Sequence, residues 1–250
     1  MTLRLETTPP VASLLIDRPD KRNAFTVAMF EALPSLIAQA VADSMARVIV
    51  LTSSNPGMFC AGADIGELSA NAHDATWRAR NQAAINTAQH DLARADKPVV
   101  AFIDGDCVGG GCGLALACDI RIATSRARFG ITPAKLGLVY PLHDTKLLVE
   151  LVGPGQAKRI LMTGGLIDAG EALRIGLIDM IADSPDALID GIAANSPHST
   201  RQSKVMIRRI LDGQTADDAE TLASFAAAFE GADFQEGVAA FLAKRKAEFR

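Results

Sequence analysis

Apolar and polar positions alternate with two different periods along most of the chain. A period of two, or an unbroken apolar run, predicts strands at Val11–Asp17, Arg47–Thr52 and Pro98–Ile103. A period near 3.6 predicts amphipathic helices at Val27–Val41 and Trp77–Ala95. Because strands and helices follow one another in this way, the pattern predicts an α/β fold.

The pattern changes near Pro185, after which helical periodicity continues almost to the end of the chain. No linker or low-complexity segment separates the two parts. We therefore expect an α/β core over residues 1–190 and a helical region over residues 191–250. The helical region should pack on the core or on a neighbouring chain.

The composition of the 250 residues, 49% hydrophobic and 22% charged, is that of a globular protein with a large core. The net charge of −4 argues against a nucleic-acid partner. No apolar stretch approaches the roughly 20 residues that span a bilayer, and no secretory segment is evident, so we expect no membrane partner and a cytoplasmic location. The four cysteines fit no zinc pattern and are expected to be reduced and buried, with no metal site.

The most informative segment is the glycine-rich run Val108–Ile120, which follows the strand at Pro98–Ile103. Gly109, Gly110 and Gly111 allow a tight turn and the close approach of a ligand to the backbone. The small residues after them place free N–H groups at the N-terminus of a helix, where an anion binds well. The run predicts an anion-holding turn but offers no side chain placed for acid–base chemistry.

Two further segments carry polar residues at predicted helix starts. Asp64 and Glu67 have the spacing of a capping box. His143 and Asp144 could supply a base or a nucleophile, but adjacent helical residues face different directions, so at most one should reach a substrate. Asp144 could equally cap the helix that follows it. The remaining histidines are expected on the surface: His73, His90 and His198.

Four ordered motifs resemble the enoyl-CoA hydratase/isomerase (crotonase) superfamily. They lie at Asp17–Phe25, Met58–Ile65, Ile103–Asp119 and Phe241–Lys246, and together they cover nearly the whole chain. The resemblance implies a crotonase (ClpP-like) spiral of ββα units with a helical C-terminal trimerisation region. It also implies an acyl-CoA thioester as the ligand, no cofactor beyond the coenzyme A of the substrate, and a homotrimer or hexamer.

The resemblance further implies that the backbone N–H groups of Ala63 and Gly110 hold the thioester oxygen. This fits the chemistry, because a thioester that loses a proton or carbon dioxide develops negative charge on that oxygen. Coenzyme A contacts are implied at Lys21, Arg22, Ala24, Ala61, Asp64 and Ile65, and from a neighbouring subunit at Phe241 and Lys244. The run Lys244–Lys246 could instead be a solvated helix end whose cations complement the helix dipole.

The sequence departs from the family pattern at both positions where hydratases carry glutamates. Gly113 and Ala134 stand there, and no glutamate is close enough in sequence to replace them. Standard hydration uses two positioned carboxylates, so decarboxylation or isomerisation through an enolate is favoured. Tyr140 lies where the related methylmalonyl-CoA decarboxylases have a tyrosine, although their histidine is replaced by Ala63. Hydration that uses Asp144, and acyl-CoA binding without catalysis, remain the alternatives.

Overall fold

The computed structural model describes residues 2–249; Met1 and Arg250, the outer ends of the two predicted regions, lie outside the described residues. The strands are β1 (Leu3–Thr8), β2 (Val11–Ile16), β3 (Val48–Ser53), β4 (Met58–Cys60), β5 (Val99–Ile103), β6 (Asp106–Val108), β7 (Ile120–Ala123), β8 (Arg128–Gly130), β9 (Ile167–Asp168) and β10 (Met180–Ile181). The helices are α1 (Val27–Ala42), α2 (Ile65–Ala70), α3 (Ala75–Arg94), α4 (Gly110–Ala117), α5 (Leu142–Thr163), α6 (Ala169–Arg174), α7 (Asp186–Ala193), α8 (Pro197–Leu211), α9 (Ala219–Ala228) and α10 (Ala232–Leu242).

Three consecutive strand pairs repeat the same course through the molecule. The first strands, β3, β5 and β7, lie in a six-stranded sheet with the order β1-β2-β3-β5-β7-β10. The second strands, β4, β6 and β8, lie in a four-stranded sheet with the order β4-β6-β8-β9. Within each sheet these strands are parallel, because a helix after each pair returns the chain to the same end. The repeat is the predicted spiral of ββα units.

The core that positions the site lies around α4. Every residue of α4 from Gly111 to Ala117 is buried, between α3 on one side and α5 on the other. Strand β3 is buried from Val48 to Leu51, as expected for a parallel strand covered on both faces. Because the body of α4 is enclosed, its first residue, Gly110, is the part of the helix that a ligand can reach.

The long predicted elements are confirmed with small shifts of their ends. The predicted helix at Trp77–Ala95, for example, begins two residues earlier, where the Asp74 carboxylate accepts hydrogen bonds from the amides of Thr76 and Trp77. The second strands β4, β6 and β8 were not predicted, since three residues are too few to show a period.

Asp64 caps a helix as expected, whereas of the two roles left open for Asp144 the structure excludes the helix cap. Asp64 caps α2 by accepting a hydrogen bond from the Glu67 amide, but the reciprocal half of a capping box is missing because the Glu67 carboxylate accepts from Val27 N, 2.9 Å away. Helix α5 begins earlier than expected, with Pro141 as its N-cap residue. Asp144 is therefore the third helical residue, and its carboxylate is free to serve another purpose.

The predicted state of the cysteines and of three histidines is confirmed. All four cysteines are buried free thiols, and burial raises the pKa of Cys60 and Cys118 to about 12. His73, His90 and His198 are exposed. Among residues 2–249, no helix is both long and apolar enough to cross a membrane.

The chain is mainly helical from α7 onward, and α8, α9 and α10 leave many apolar side chains exposed. Phe241 is 82% exposed and Leu242 is 76% exposed. The other exposed apolar residues of these three helices and of the turn after α9 are Val205, Ile207, Ile210, Leu211, Leu222, Phe225, Phe229, Phe234 and Val238.

Candidate active site

Two glycine turns bring a pair of backbone amides together. After β4 the chain turns at Gly62, whose φ of +102° suits glycine, and after β6 it turns at Gly109, with a φ of +53°. A Cβ atom on Gly62 would lie only 3.0 Å from the carbonyl oxygen of Val108, so the two turns touch through their backbones. Ala63 and Gly110 follow these turns directly.

Hydrogen bonds on either side hold Ala63 in place and leave its own amide unused. Phe25 N donates to the Gly62 carbonyl, and Asp64 N donates to the Phe25 carbonyl, each at 2.8 Å. Gly110 opens α4, where the first amides of a helix have no partner within the helix. Within residues 2–249, neither the Ala63 N–H nor the Gly110 N–H donates to a protein acceptor.

The two unused amides are close neighbours. A Cβ atom on Gly110 would lie 3.5 Å from the amide nitrogen of Ala63. The positive end of the α4 dipole reinforces the Gly110 amide, so negative charge between the two nitrogens is stabilised. The predicted donors are thus side by side, at a place suited to a developing oxyanion.

Three polar side chains converge over Gly113, one turn along α4 from Gly110. A Cβ atom on Gly113 would lie 2.5 Å from Gln89 Nε2, 2.8 Å from Asp144 Oδ1 and 3.2 Å from Tyr140 Oη. One turn of helix advances about 5 Å, so this polar cluster lies close to the amide pair. The space beside Gly113 is filled by side chains from α3, α5 and the loop before α5.

Asp144 is the acidic member of this polar cluster. Its side chain is buried, and Oδ1 accepts a hydrogen bond of 2.6 Å from Gln89 Nε2. Among the described residues, Oδ2 has no hydrogen-bond partner, and neither have the buried atoms Tyr140 Oη and His143 Nε2. The ionised carboxylate can accept a proton at the oxygen that has no hydrogen bond, and the neutral carboxyl can give that proton back.

Burial changes the acidity of the cluster. It raises the pKa of the Asp144 carboxyl, while the hydrogen bond from Gln89 acts in the opposite direction. Burial also raises the pKa of the Tyr140 phenol well above its usual value, and the Asp144 carboxylate adds to this effect. Tyr140 therefore keeps its proton at neutral pH, and the raised pKa of Asp144 moves it towards the range in which acid–base groups work best.

Asp144 is the unusual carboxylate of the stretch between residues 101 and 150, because no cation pairs with it among residues 2–249. The other carboxylates of this stretch each face a cation, in the pairs Asp104 with Arg126, Asp106 with Arg22 and Arg128, Asp119 with Lys204, and Glu150 with Lys146. Ala134 is exposed in a short 3-10 helix, Pro133–Leu136, and brings no chemistry to the cluster.

Gln89 was missed by the sequence reasoning. It lies on the face of α3 that the half-buried Ile85 and the buried Ala88 and Leu92 direct toward the core, and it is itself fully buried. A polar residue within an apolar helical stripe is the signal that could have found it, because buried polar groups need hydrogen-bond partners.

Several residues with an implied coenzyme A contact lie together beside the amide pair. Arg18 Nη1 is 2.8 Å from both the Ala24 carbonyl and Asp64 Oδ2, so one guanidinium joins two of these residues. The Arg22 carbonyl accepts a hydrogen bond from Ala61 N at 3.0 Å. The structure thus gathers Arg22, Ala24, Ala61 and Asp64 around one strand end.

The remaining implied contacts are exposed. Lys21 lies in a short 3-10 helix next to Arg22, and Ile65 is the exposed first residue of α2. Phe241 lies on the last turn of α10 and lines a cleft between α8 and α10, away from the amide pair. Lys244 ends α10 in a left-handed conformation, with φ of +52°. A single chain therefore does not bring these two C-terminal residues to the amide pair.

Comparison with known proteins assigns the family. The model of the enoyl-CoA hydratase/isomerase family matches residues 6–250. The chain is 34% identical to a short-chain-enoyl-CoA hydratase of Clostridium acetobutylicum, over 98% of this chain and 95% of that protein. It is 32% identical to a crotonyl-CoA hydratase of Syntrophomonas wolfei, over 98% of this chain and 96% of that protein.

Solved structures agree with this assignment. A structure of an enoyl-CoA hydratase/isomerase family protein from Hyphomonas neptunium matches with a TM-score of 0.96 at 40% identity, covering 100% of this chain and 98% of that one. An enoyl-CoA hydratase from Bacillus anthracis matches with a TM-score of 0.89 at 29% identity, covering 100% and 99%. The chain therefore belongs to the enoyl-CoA hydratase/isomerase family and has the crotonase fold.

Proposed function

We propose that the protein isomerises an enoyl-CoA thioester through an enolate, with Asp144 as its single acid–base group. Family membership makes it an enzyme that acts on acyl-CoA. The observation that carries the finer proposal is the carboxylate of Asp144, buried beside Gly113 with Oδ2 unused. Isomerisation suits this arrangement, because one carboxylate can remove a proton from one carbon and return it to another.

The proposed reaction moves one proton and no other atom. Asp144 Oδ2 takes the proton from C2 of a 3-enoyl thioester, and the electron pair of that bond passes to the thioester oxygen. The N–H groups of Ala63 and Gly110 donate to the resulting enolate oxygen. When the carbonyl re-forms, the double bond moves to C2–C3, and C4 receives the proton from Oδ2.

Decarboxylation is the second candidate, and Tyr140 favours it. A malonyl-type thioester that loses carbon dioxide leaves the same enolate between Ala63 and Gly110, and this enolate then needs only a proton. The buried Tyr140 phenol, which is neutral and has no protein partner among the described residues, could give that proton. Standard hydration is disfavoured, because the two family carboxylate positions hold Gly113 and the exposed Ala134.

We also propose that the coenzyme A moiety lies along Lys21, Arg22, Ala24 and Ala61, with Asp64 and Ile65 at its edge, and that Phe241 and Lys244 reach it from a neighbouring subunit. The exposed apolar faces of α8, α9 and α10 support a homotrimer or hexamer, since apolar surface of this extent is normally covered. The molar mass in solution, measured by light scattering, tests this assembly.

The first experiment is a panel of coenzyme A thioesters in D₂O, with malonyl, methylmalonyl, 2-enoyl, 3-enoyl and 3-hydroxyacyl groups, followed by mass spectrometry and NMR. We expect 3-enoyl and 2-enoyl thioesters to interconvert, with deuterium entering the product only to the extent that the proton on Oδ2 exchanges with solvent before it reaches carbon. The Asp144→Asn variant should lower this turnover about 100-fold to 10,000-fold, the usual contribution of a general acid–base group.

Each other outcome of the panel overturns the proposal in favour of a named alternative. Loss of carbon dioxide selects decarboxylation, and addition of water that Asp144→Asn abolishes selects hydration through Asp144. Retention of an unchanged thioester selects an acyl-CoA binder without catalysis. Isomerisation that survives in Asp144→Asn removes Asp144 from the mechanism.

A further inference from the structure

Gln89 donates a side-chain hydrogen bond to the Asp144 carboxylate from a different helix. Its Nε2 atom donates to Oδ1 at 2.6 Å, across 55 positions of sequence. Both side chains are buried, with Gln89 fully inaccessible and Asp144 2% exposed. A hydrogen bond between two buried groups on different helices holds both in one orientation.

We infer that Gln89 is a positioning residue for proton transfer: its amide reserves Oδ1 of Asp144 as an acceptor, so that the transferable proton resides on Oδ2. This inference rests on the proposed function, in which Oδ2 exchanges a proton with the substrate.

The chemistry of the two groups gives the direction of the effect. An amide N–H can only donate, so the carboxyl oxygen that it faces accepts, and the carbonyl-type oxygen of a neutral carboxyl is the better acceptor. The hydrogen of neutral Asp144 is thereby favoured on Oδ2, the buried oxygen that has no hydrogen-bond partner among the described residues. The same bond stabilises the ionised form, so it partly offsets the rise in pKa that burial causes.

The titratable groups around the carboxylate are few. Tyr140 and His143 come from its own segment, and Cys112 of α4 and Cys107 of β6 lie close to Tyr140. Helix α3 contributes the uncharged Gln89 to this environment. Burial raises the pKa of Cys107 and of Tyr140 well above their usual values, so both groups keep their protons near neutral pH.

The test replaces the amide and reads the Asp144 carboxyl directly. Infrared spectra of the protein and of its Asp144→Asn variant are recorded across pH without substrate, and their difference gives the C=O stretch of the protonated Asp144 carboxyl. The same pair of spectra is then recorded with Gln89→Leu added to both proteins. We expect Gln89→Leu to move the titration of Asp144 upward by about one to two pH units, the size of one hydrogen bond to a charged group. His143→Gln, combined with Gln89→Leu, separates the contribution of the imidazole.

Kinetics supply the second readout. On the substrate that the panel identifies, Gln89→Leu should lower kcat about tenfold or more and leave KM nearly unchanged, because the residue does not touch the substrate. The basic limb of the pH profile should move in the same direction as the infrared titration. Gln82→Leu is the matched control: Gln82 lies on the same helix and donates to Asn86 Oδ1 at 2.7 Å, so its loss should alter neither readout.

The results distinguish failure of this inference from failure of the proposed function. If Asp144→Asn is inactive while Gln89→Leu leaves both the infrared titration and kcat unchanged, the inference is wrong and the proposed function stands. If the infrared titration moves but Asp144→Asn keeps its activity, the proposed function is wrong, and Gln89 positions a group that the reaction does not use. Should Gln89→Leu fail to fold, the nearly isosteric Gln89→Glu takes its place, and an unmoved titration there contradicts the inference equally.

Discussion

The two halves of the site are built from different parts of the chain. The half proposed to hold the oxyanion consists of backbone amides, at Ala63 and Gly110, placed by two glycine turns. The half proposed to move protons consists of side chains, Gln89, Tyr140 and Asp144, brought together over Gly113 from separate elements. The positions of the two amides are set by the path of the backbone. The chemistry of the polar cluster is set by the identity of its side chains.

This difference gives a physical reason for the departure that the resemblance implies, in which the glycine turns are kept and the two glutamates are not. A side chain at Gly62 or Gly111 would collide with backbone, because their Cβ atoms would lie 3.0 Å from Val108 O and 2.7 Å from Cys60 O. Changing such a turn would move the core. At Gly113, by contrast, a Cβ atom would first meet the side-chain ends of Gln89, Tyr140 and Asp144, so a residue there competes with side chains and not with backbone.

The strongest test of the backbone half is Gly110→Pro. Proline removes the N–H group and pushes the preceding residue toward extended backbone, whereas Gly109 has φ of +53° and ψ of −118°. We expect turnover to fall about 100-fold to 1000-fold, the effect of losing one oxyanion donor. Steady-state kinetics on the substrate identified by the thioester panel measure this loss.

Gly110→Ala is the control for this variant, since it retains the N–H group. Its Cβ atom would lie 3.5 Å from Ala63 N and 3.6 Å from Phe30 Cζ, which are ordinary contacts. The alanine variant should keep most of the activity. A folded proline variant that turns over as fast as the alanine variant would show that the Gly110 amide holds no oxyanion.

Gly113→Glu tests the side-chain half, because it restores the residue type that the hydratase pattern has at this position. Its Cβ atom would lie 2.5 Å from Gln89 Nε2 and 2.8 Å from Asp144 Oδ1, and its carboxylate would add like charge to a buried site. We expect the free energy of unfolding to fall by about 1–3 kcal/mol, as in other overpacked cores. Urea denaturation at neutral pH measures the change.

The double variant Gly113→Glu with Asp144→Gly is the matched comparison. It keeps one carboxylate in the cluster and returns the volume that the glutamate takes, so it should recover most of the lost stability. If the double variant were no more stable than Gly113→Glu alone, Asp144 would not compete for the space that a glutamate at position 113 would take.

Much of the fold could be predicted because its long elements carry a clear period. The helix α1 and the strands β2, β3 and β5 are recognisable from apolar spacing alone. The strands β4, β6 and β8 are not, since three residues show no period and their pairing depends on strands about 20 to 50 positions away. The four-stranded sheet that carries both glycine turns was therefore implied only by the resemblance to the family.

The site was predictable to the extent that it is made of backbone. The resemblance to the family implied Ala63 and Gly110, whereas the role of Asp144 stayed open between helix cap and catalyst. That choice depends on two facts. Helix α5 begins directly after Pro141, so Asp144 is not its N-cap residue, and the Asp144 carboxylate contacts Gln89, which is 55 positions away in the sequence. The residues next to Asp144 in the sequence do not show its contact with Gln89.

Tyr140→Phe should have a smaller effect than Gly110→Pro or Gly113→Glu, and it sharpens the chemistry of the side-chain half. Tyr140 Oη is buried without a protein partner among residues 2–249, so removing it should not lower the free energy of unfolding.

If Asp144 moves the proton, the phenol only assists, and isomerisation of a 3-enoyl thioester should slow by about tenfold or less. If the phenol is the acid that protonates the enolate after loss of carbon dioxide, turnover of a malonyl-type thioester should fall by about 100-fold or more. Measuring the turnover of both thioesters by the unsubstituted protein and by Tyr140→Phe separates these cases. Unchanged turnover of the malonyl-type thioester would exclude Tyr140 as the acid in decarboxylation.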